Sequence, residues 1–543
     1  MIKLETYLVK IIKEALNKAF PEISDNDSLG IVLEIPKEKK FGDFSVNIAM
    51  KLSRQIRKPP IDIAAVIIKH IERSDLINDV KVEKPGFINF YVSNKAVVGS
   101  LKDIINEADS FGKSSMGEGK KAQIEFVSAN PTGPLTVAHG RQAAIGDSLA
   151  RILQFCGYDI TKEYYINDEG VQIQALGKSL KARFLELTGE QSEFPENGYK
   201  GRYIYDIAEK LKNSHKDKKI SEEFFMEYAA KEIMQTIKRD LEDYGVHFDV
   251  WYSQKSLGKS GNIEKTLSAL KDNGFLYERE GATWFRSTQF KDDKDRVVIK
   301  SDGSYTYVTS DMAYHREKFE KGYDRIIDIL GPDHHGYINR IKAACEALGY
   351  DSNKLHIMIA QLVTLYRGGK PVRMSTREGE FVTLREIMDE VGRDATRFFF
   401  IMRRTDSHLD FDLALAKAQT LDNPVYYIQY AHARISSIIE FSKNAKPNFN
   451  NLTLLDKEQE LDLIKALMHY PKIIEAAAIN LEPFILLAYL QDLAGFFHTY
   501  YNAYRVVTDD KPLTEARITL IHTVKKVLAS GLGLLGVTAL EKM

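Results

Sequence analysis

The sequence predicts three units: an α+β unit at residues 1–112, an α/β unit built on an open parallel sheet at 113–404, and an all-α unit at 405–543. Three observations support this division. At 543 residues the chain is too long for a single hydrophobic core. In its middle, strand-like runs end in polar turns from which helices start. Beyond about residue 405 the apolar residues follow the helical period throughout.

Composition indicates an ordinary soluble globular protein, with 44% hydrophobic and 28% charged residues. No window approaches the roughly 18 uninterrupted apolar residues of a membrane span. Glu5, Lys10 and Glu14 interrupt the apolar start at helical spacing, which favours an amphipathic helix over a signal peptide. The two cysteines, Cys156 and Cys345, form no metal-binding motif, so we expect a reducing cytoplasm and no zinc. A net charge of −1 neither supports nor excludes a nucleic-acid partner.

The first unit combines helices and strands. Amphipathic helices are predicted near residues 3–20 and 60–75, and a strand-type segment, Lys84–Val92, closes the unit. The basic run between the helices, beside aromatic residues, suits nucleic-acid contact. A solvated helix face and a packed strand would explain the same residues. The hydrophilic run at 109–121 is predicted to be a linker.

The stretch at 122–153 organises the middle unit. Ala122, Ile124 and Phe126 alternate with polar residues, which predicts a half-buried strand. Asn130–Pro134 then breaks regular structure, and a helical pattern follows His139. In an open parallel sheet this places a helix N-terminus at the carboxyl edge of the strands, where anionic ligands bind. The sequence therefore predicts a phosphate-binding turn here.

Further strands and turns are predicted along the same unit. Lys162–Ile166 is expected to be the second strand of the sheet, and Asp324–Leu330 a buried strand that ends at a polar turn containing Asp333. Ser301–Ser304, between two strand-like runs, predicts a hairpin. Val372–Gly379 follows a glycine turn and carries serine and arginine. A histidine at a helix start and a mobile Ser/Arg loop can together hold a triphosphate, although a lone His139 could equally be part of a helix cap.

These segments resemble class I aminoacyl-tRNA synthetases, and specifically the arginyl-tRNA synthetases. Thr136–His139 stands where the family has its HIGH signature, and Arg373–Arg377 where most class I enzymes have KMSKS, with the Met-Ser-Thr variant typical of the arginine enzymes. The resemblance extends across nearly the whole chain, through Lys84–Val92, Tyr164–Asp168 and Asp422–Arg434. It implies a Rossmann-like class I catalytic domain, an α+β N-terminal tRNA-binding domain and an all-α anticodon-binding domain.

The resemblance also implies roles for individual residues. Glu125 and Asn130 would bind the ammonium and carboxylate end of arginine, and Tyr307 and Asp311 its guanidinium; without the resemblance, Asp311 could be a helix N-cap. Gln254 and Asp333 complete the predicted arginine site. His139, Thr136, Ser375 and Arg377 are the predicted catalytic residues. The predicted ATP site comprises Pro131, Gly133, Thr136, His139, Gly140, Met374, Ser375, Thr376 and Arg377.

The implied reaction has two steps. The carboxylate of arginine attacks the α-phosphate of ATP, which releases pyrophosphate, and the adenylate is passed to the 3′ end of tRNA. Placement and charge stabilisation dominate such transfers, and Mg²⁺ would accompany ATP. Arginine activation is expected to require bound tRNA, in a cytoplasmic protein that works as a monomer. Predicted tRNA contacts are Phe87, Asn89, Tyr427, Tyr501 and Arg505.

Three positions depart from the family pattern. Thr136 replaces the first histidine of HIGH and Thr376 a lysine of KMSKS, so both sites carry less positive charge. Arg373, Arg377, Lys120 and Lys121 are candidates to supply it. Gln254 stands where a glutamate helps to hold the guanidinium, which leaves Asp311 as the main predicted anion.

Three alternatives compete with this interpretation. Another class I synthetase is one, although the cysteine enzyme would need a zinc-binding set that two isolated cysteines cannot supply. A non-catalytic tRNA-binding paralogue is another, but it predicts loss of Glu125, Asn130, Tyr307 and Asp311, all of which are present. The third is a nucleotide-binding module unrelated to tRNA, which would not explain the presence of the helical C-terminal third.

Overall fold

A five-stranded parallel sheet lies at the centre of the chain, with strand order β12-β11-β5-β6-β7. The computed structural model describes residues 3–23, 29–36, 38–107, 110–215, 220–334, 336–372, 381–442 and 447–543. Chain order reverses beside β5, because β6 pairs with one edge of β5 and β11 with the other. In open α/β sheets, ligands bind at the carboxyl edge beside such a reversal. The strands of this sheet are β5 Lys121–Glu125, β6 Asp159–Ile166, β7 Val250–Ser253, β11 Arg325–Leu330 and β12 Leu355–Ile359.

Helices cover both faces of the sheet and extend away from it. Those of the central part are α5 Val137–Phe155, α6 Val171–Thr188, α7 Arg202–Ser214, α8 Glu222–Asp243, α9 Gln254–Lys259, α10 Asn262–Asp272, α11 Tyr307–Glu320, α12 Tyr337–Ala347, α13 Leu384–Val391, α14 Arg393–Ile401 and α15 Leu413–Lys417. Two three-stranded sheets accompany them, made of β8 Leu276–Arg279, β9 Ala282–Phe285 and β10 Arg296–Ile299, and of β13 Val363–Arg367, β14 Lys370–Pro371 and β15 Leu409–Asp412.

The N-terminal part is an antiparallel sheet of order β1-β2-β4-β3 packed with helices. Its elements are α1 Lys3–Ala19, β1 Leu33–Glu34, β2 Phe44–Val46, α2 Ile48–Ile56, α3 Pro60–Lys69, β3 Ile77–Glu83, β4 Phe87–Val92 and α4 Asn94–Glu107. The C-terminal part contains α16 Pro424–Phe441, α17 Glu458–Asn480, α18 Phe484–Ala503 and α19 Lys511–Leu534. The N-terminal part contacts α17 through ion pairs such as Lys39 with Asp462, 2.7 Å, and Lys465 with Asp43, 2.6 Å.

The predicted strand and turn at 122–134 are confirmed, but β5 is buried on both faces. Ala122, Ile124 and Phe126 face α5, where the ring of Phe126 lies against Gly146. Gln123 and Glu125, on the opposite face, are also buried. The expectation of a half-buried strand was wrong because α11 covers the second face and supplies polar partners for Glu125.

Two other predictions are corrected by the structure. The hairpin at Ser301–Ser304 forms a turn, but its second arm is only the bridge of Tyr305 to Ile299, and α11 starts at Tyr307. Residues 409–412 are not helical, because β15 pairs in parallel with β13. No helix in the described part of the chain combines the length and apolarity needed to cross a membrane.

Candidate active site

The chain leaves β5 through a strained turn. Val127 and Ser128 have positive φ angles of 69° and 38°, a region that β-branched and other side chains rarely adopt. The turn is held by Tyr164, whose hydroxyl donates to the carbonyl of Ala129 at 2.8 Å, and by Tyr203, which donates to the carbonyl of Thr132 at 2.7 Å. Strain that surrounding contacts impose in this way is typical of ligand-binding sites.

Helix α5 starts immediately after this turn. Thr136 is its N-cap, and the N–H of Thr136 donates to Nδ1 of His139 at 3.1 Å. Burial lowers the pKa of His139 to about 4, so the imidazole is neutral at physiological pH. With Nδ1 accepting, the proton of the neutral ring sits on Nε2, which can donate to a ligand. His139 is therefore both a cap residue and an uncharged hydrogen-bond donor.

One part of the predicted ATP site, the part that precedes and starts α5, is assembled at this turn. Pro131, Gly133, Thr136 and His139 occupy the turn and the first helical residues. A Cβ on Gly140 would stand 2.7 Å from Leu384 and 3.0 Å from Phe400, so packing of α5 against α13 and α14 accounts for this glycine. Met374, Ser375, Thr376 and Arg377 lie outside the described residues, and so does Arg373.

The segment after the predicted KMSKS-like loop meets the start of α5. Thr136 and Thr383 form an antiparallel β-bridge, and the N–H of Leu384 donates to the carbonyl of Leu135 at 2.8 Å. Thr383 also caps α13, in a capping box with Glu386. The chain therefore returns to the predicted phosphate-binding turn within six residues of Arg377.

Three carboxylates stand side by side on the central strands, on the face opposite α5. Glu125 of β5 pairs in register with Glu163 of β6 and with Asp328 of β11. All three are buried. Burial of adjacent like charges is unfavourable unless cations or protons compensate for it.

Helix α11 supplies that compensation. The ammonium of Lys318, which is fully buried, lies 2.6 Å from Glu125 Oε2 and 2.7 Å from Asp328 Oδ1. Burial would lower the pKa of Lys318, but the negative charges of Asp328 and Glu125 raise it. The hydroxyl of Tyr314 lies between Glu125 and Glu163, and burial raises the pKa of Glu163, which favours its protonated form.

Glu125 is consequently a well-partnered residue. Its Oε1 accepts from Ser128 Oγ at 2.9 Å, and its Oε2 accepts from Lys318 and from Tyr314 at 2.9 Å. A carboxylate offers about four acceptor positions, so one position is left for a further donor. Asn130 donates to Gln172 Oε1 at 2.7 Å and lies at the end of the same turn.

Tyr307 and Asp311 lie one turn apart on α11, at the carboxyl edge of the sheet. Thr306 is the N-cap of this helix, so the alternative interpretation of Asp311 as an N-cap is wrong. Burial raises the pKa of Asp311 to about 6, and its carboxylate accepts from the hydroxyl of Tyr337. Tyr307, by contrast, is 69% exposed. Asp333 is exposed at the end of β11, and its Oδ1 lies 2.8 Å from the Cβ position of Gly331.

Sequence comparisons identify the family of this site. Residues 6–92 match the arginyl tRNA synthetase N terminal domain, residues 100–420 the class I (R) tRNA synthetase catalytic domain, and residues 428–543 the DALR anticodon binding domain. The arginine–tRNA ligase of Citrifermentans bemidjiense is 48% identical over 94% of this chain and 95% of its own. That of Desulfitobacterium hafniense is 46% identical over 99% of both chains.

The chain belongs to the arginine–tRNA ligase family. It has the class I catalytic domain with the N-terminal and anticodon-binding domains of that family, as predicted. The arginyl-tRNA synthetase structure from Thermus thermophilus superposes with a TM-score of 0.78, covering 99% of this chain and all of that one, at 21% identity. A likeness at that identity shows the shared fold. The activity is ATP-dependent attachment of arginine to tRNA, and neither another synthetase nor a non-catalytic paralogue is favoured.

The residues predicted to contact tRNA in this arginine–tRNA ligase differ in accessibility. Asn89 is buried and accepts from Ser45 Oγ at 2.7 Å, so its side chain packs inside the N-terminal part and presents no surface to tRNA. Phe87, at the start of β4, is partly exposed. In the C-terminal part, Tyr427 and Tyr501 are partly exposed and Arg505 is exposed.

An aromatic surface joins α16 and α18. The ring of Tyr427 lies 4.5 Å from that of His498, and Tyr430 stacks on the same imidazole at 5.8 Å. Arg434 Nε donates to the hydroxyl of Tyr501 at 2.9 Å. Partly exposed rings beside an arginine are suited to stack on unpaired bases.

Sequence reasoning missed the buried charges of α11 and their partners. Lys318, Tyr314, Glu163 and Asp328 were not predicted, and neither was the place of Glu169 beside Gln254. A signal was present for the first group: Tyr307, Asp311, Tyr314 and Lys318 recur at three- and four-residue intervals, which places them along one helix face. Within the described residues, no group of three or more His, Cys, Asp and Glu side chains is arranged to hold a metal ion.

Proposed function

We propose that the start of α5 binds the phosphates of ATP and that the adjoining edge of the sheet binds arginine. The observation that carries this proposal is the convergence at Thr136, where the helix N-terminus, the neutral His139 and the bridge to Thr383 meet. Backbone N–H groups and the positive end of the helix dipole favour an anion there.

His139 acts as an uncharged donor in this proposal. Its Nδ1 is taken by the N–H of Thr136, so Nε2–H is the group that donates to a phosphate oxygen. The donation strengthens as charge builds up on the phosphate in the transition state. Thr136 contributes its hydroxyl. Ser375 and Arg377 are assigned to the pyrophosphate, together with Met374 and Thr376, because Thr383 returns the chain to this turn.

Arginine lies along the carboxyl edge in this assignment. Glu125 and Asn130 bind its ammonium and carboxylate end, which leaves the carboxylate near the α-phosphate. One carboxylate oxygen bonds to the α-phosphorus as the bond to the pyrophosphate oxygen breaks. Tyr307 and Asp311 bind the guanidinium, whose planar fork of donors is suited to a carboxylate. Asp333 and Gln254 border the same site.

The partners follow from this arrangement. We assign Mg²⁺ as the ion that enters with ATP, bound to its phosphates. tRNA is assigned to Phe87 in the N-terminal part and to Tyr427, Tyr501 and Arg505 in the C-terminal part. We also propose that the protein works as a monomer, and in the cytoplasm, where two buried, unpaired cysteines suit a reducing compartment.

ATP–pyrophosphate exchange tests this function. Exchange is expected with arginine and not with the other amino acids, and only when tRNA is present. His139→Asn can still accept from the N–H of Thr136 but lacks the Nε2 donor, so it should lower kcat for exchange about 100-fold with arginine KM unchanged.

The matched control is Thr136→Ser, which keeps the capping hydroxyl and should stay within about threefold of the parent. Exchange with another amino acid, or none with arginine and tRNA, would refute the assignment of the activity. A tenfold rise in arginine KM for His139→Asn would refute the role of His139.

A further inference from the structure

Most carboxylates at the carboxyl edge of the sheet already have partners. Glu125 is paired with the buried ammonium of Lys318. Asp168 accepts from Ser253 Oγ at 2.6 Å and from the N–H of Lys255 at 3.0 Å, and so fixes the start of α9. Asp168 is thereby committed to the fold, and the one acceptor position left on Glu125 is assigned to the ammonium end of arginine, not to its guanidinium.

Asp311 is the carboxylate assigned to the guanidinium, but alone it cannot accept from all the donors of that group. Burial raises its pKa to about 6, although the nearby charge of Arg340 acts to lower it, so the carboxyl is not fully ionised until the pH is well above 6. A guanidinium has five N–H donors spread over a plane and keeps its charge at any physiological pH. One carboxylate at a single edge of that plane leaves the other donors without a charged acceptor.

Glu169 is the uncommitted carboxylate of the group. It is exposed, and within the described ranges it has no lysine, arginine or histidine as an ion-pair partner. Its Oε1 accepts a hydrogen bond from Nε2 of Gln254, at 3.1 Å. Gln254 itself is only 9% exposed, so a largely buried, neutral amide holds the carboxylate while leaving its charge intact.

Glu169 also lies beside the residues assigned to the guanidinium. The next residue, Gly170, has the hydroxyl of Tyr307 3.8 Å from its Cβ position. Tyr165 lies among these groups: burial raises its pKa most, and the negative charges of Asp311, Glu125 and Glu169 raise it further. The charges of Glu169, which follows β6, and of Asp311, in the first turns of α11, therefore both reach Tyr165.

We propose that Glu169 is a specificity-determining residue for arginine, and that Gln254 positions it. The carboxylate of Glu169 receives the guanidinium N–H groups that Asp311 cannot reach, and Oε1 of Gln254 is a further planar acceptor beside it. This inference rests on the proposed guanidinium site at Tyr307 and Asp311. On this proposal Gln254 does not simply remove a negative charge from the site, because it holds the negative charge of Glu169 in place.

Steady-state aminoacylation by Glu169→Gln tests the proposal. The amide oxygen introduced by this substitution can still accept from Gln254, so the hydrogen bond stays and only the charge is lost. Arginine KM should rise roughly 10- to 100-fold, as for the loss of a charged hydrogen-bond acceptor, while ATP KM stays within twofold. Arginine KM unchanged, or ATP KM raised equally, would overturn the proposal.

Two further variants separate this role from a general effect of charge. Glu223 lines the same cavity of about 320 Å³ as Glu169, between α6 and α8, so Glu223→Gln is the matched control and should leave arginine KM within twofold. An equal rise in both variants would mean a diffuse acidic field and overturn the proposal. The double variant Glu169→Gln/Gln254→Glu places the carboxylate at position 254 instead of 169. Its log KM for arginine should return at least halfway from the value of Glu169→Gln to that of the parent. Failure of the parent itself to charge arginine would instead refute the proposed function.

Discussion

Asp311 shows what a single buried carboxyl implies for activity. Burial raises its pKa to about 6, so the group is ionised above that pH and neutral below it. In the proposed site the guanidinium of arginine binds the ionised form of Asp311, and arginine itself stays charged throughout. Since protonation removes the charge that arginine needs, kcat/KM for arginine at saturating ATP should fall about tenfold between pH 7.5 and pH 5.

The measurement is aminoacylation at limiting arginine from pH 5 to 8.5. His139, with a pKa lowered to about 4 by burial, does not titrate in this range, and the Asp311→Asn variant separates Asp311 from other carboxyls of the site such as Glu163, whose pKa burial also raises. Asp311→Asn should give a low kcat/KM that no longer rises with pH through 6. A parent profile that is flat over this interval, or a limb that survives in Asp311→Asn, would contradict the assignment.

At the scale of elements, close packing of α5 on β5 decides how the proposed phosphate-binding turn is held. A Cβ on Gly146 would stand 2.3 Å from the ring of Phe126, which is fully buried. Gly146→Ala is therefore expected to lower the free energy of unfolding by about 1–3 kcal/mol, because the ring cannot retreat without disturbing the sheet. Urea denaturation followed by tryptophan fluorescence measures it.

Gly258 in α9 is the control, because nothing lies within 4 Å of its Cβ position. Gly258→Ala should be neutral or stabilise by up to about 1 kcal/mol, as expected for alanine in a helix. If the two variants had the same stability, the contact of Gly146 with Phe126 would not be what sets the distance between α5 and β5.

Elements with a strong local pattern were predictable from the sequence, and those that depend on distant partners were not. β5, the turn at Asn130–Pro134 and α5 follow from alternation, prolines and helical period. The burial of Glu125 does not, because Lys318 is 193 residues away along the chain. Strand β15 was missed because four residues, Leu409–Asp412, carry too short a pattern, and only pairing with β13 makes them a strand.

The candidate site shows the same division. Thr136, His139, Glu125 and Asp311 could be picked out from motifs. The hydrogen bond between Gln254 and Glu169 joins positions 85 apart in the sequence, and nothing local in either segment indicates it.

On the scale of the whole molecule, one buried arginine joins α5 to the end of the chain. Arg397 of α14 donates to Leu535 O at 3.1 Å, to Tyr244 O at 3.2 Å and to Asp147 Oδ2 of α5 at 2.7 Å. Its side chain is fully buried. Gly536 turns the chain over it, since a Cβ there would stand 2.3 Å from Nη2. The helix that starts at the proposed phosphate-binding turn is thus anchored to the C-terminal part.

Arg397→Lys should therefore loosen the molecule as a whole. A single ammonium cannot span acceptors on three elements, so at least one buried carbonyl loses its partner, and we expect a loss of about 2–5 kcal/mol in the free energy of unfolding. Arg393→Lys is the control on the same helix. Arg393 is 46% exposed, pairs with Asp394 and donates to Thr538 Oγ1 at 3.0 Å, and because these contacts are at the surface its replacement should change stability by less than about 1 kcal/mol. Denaturant unfolding of both variants decides the matter: equal losses would mean that the junction at Arg397 does not hold the C-terminal part to α5.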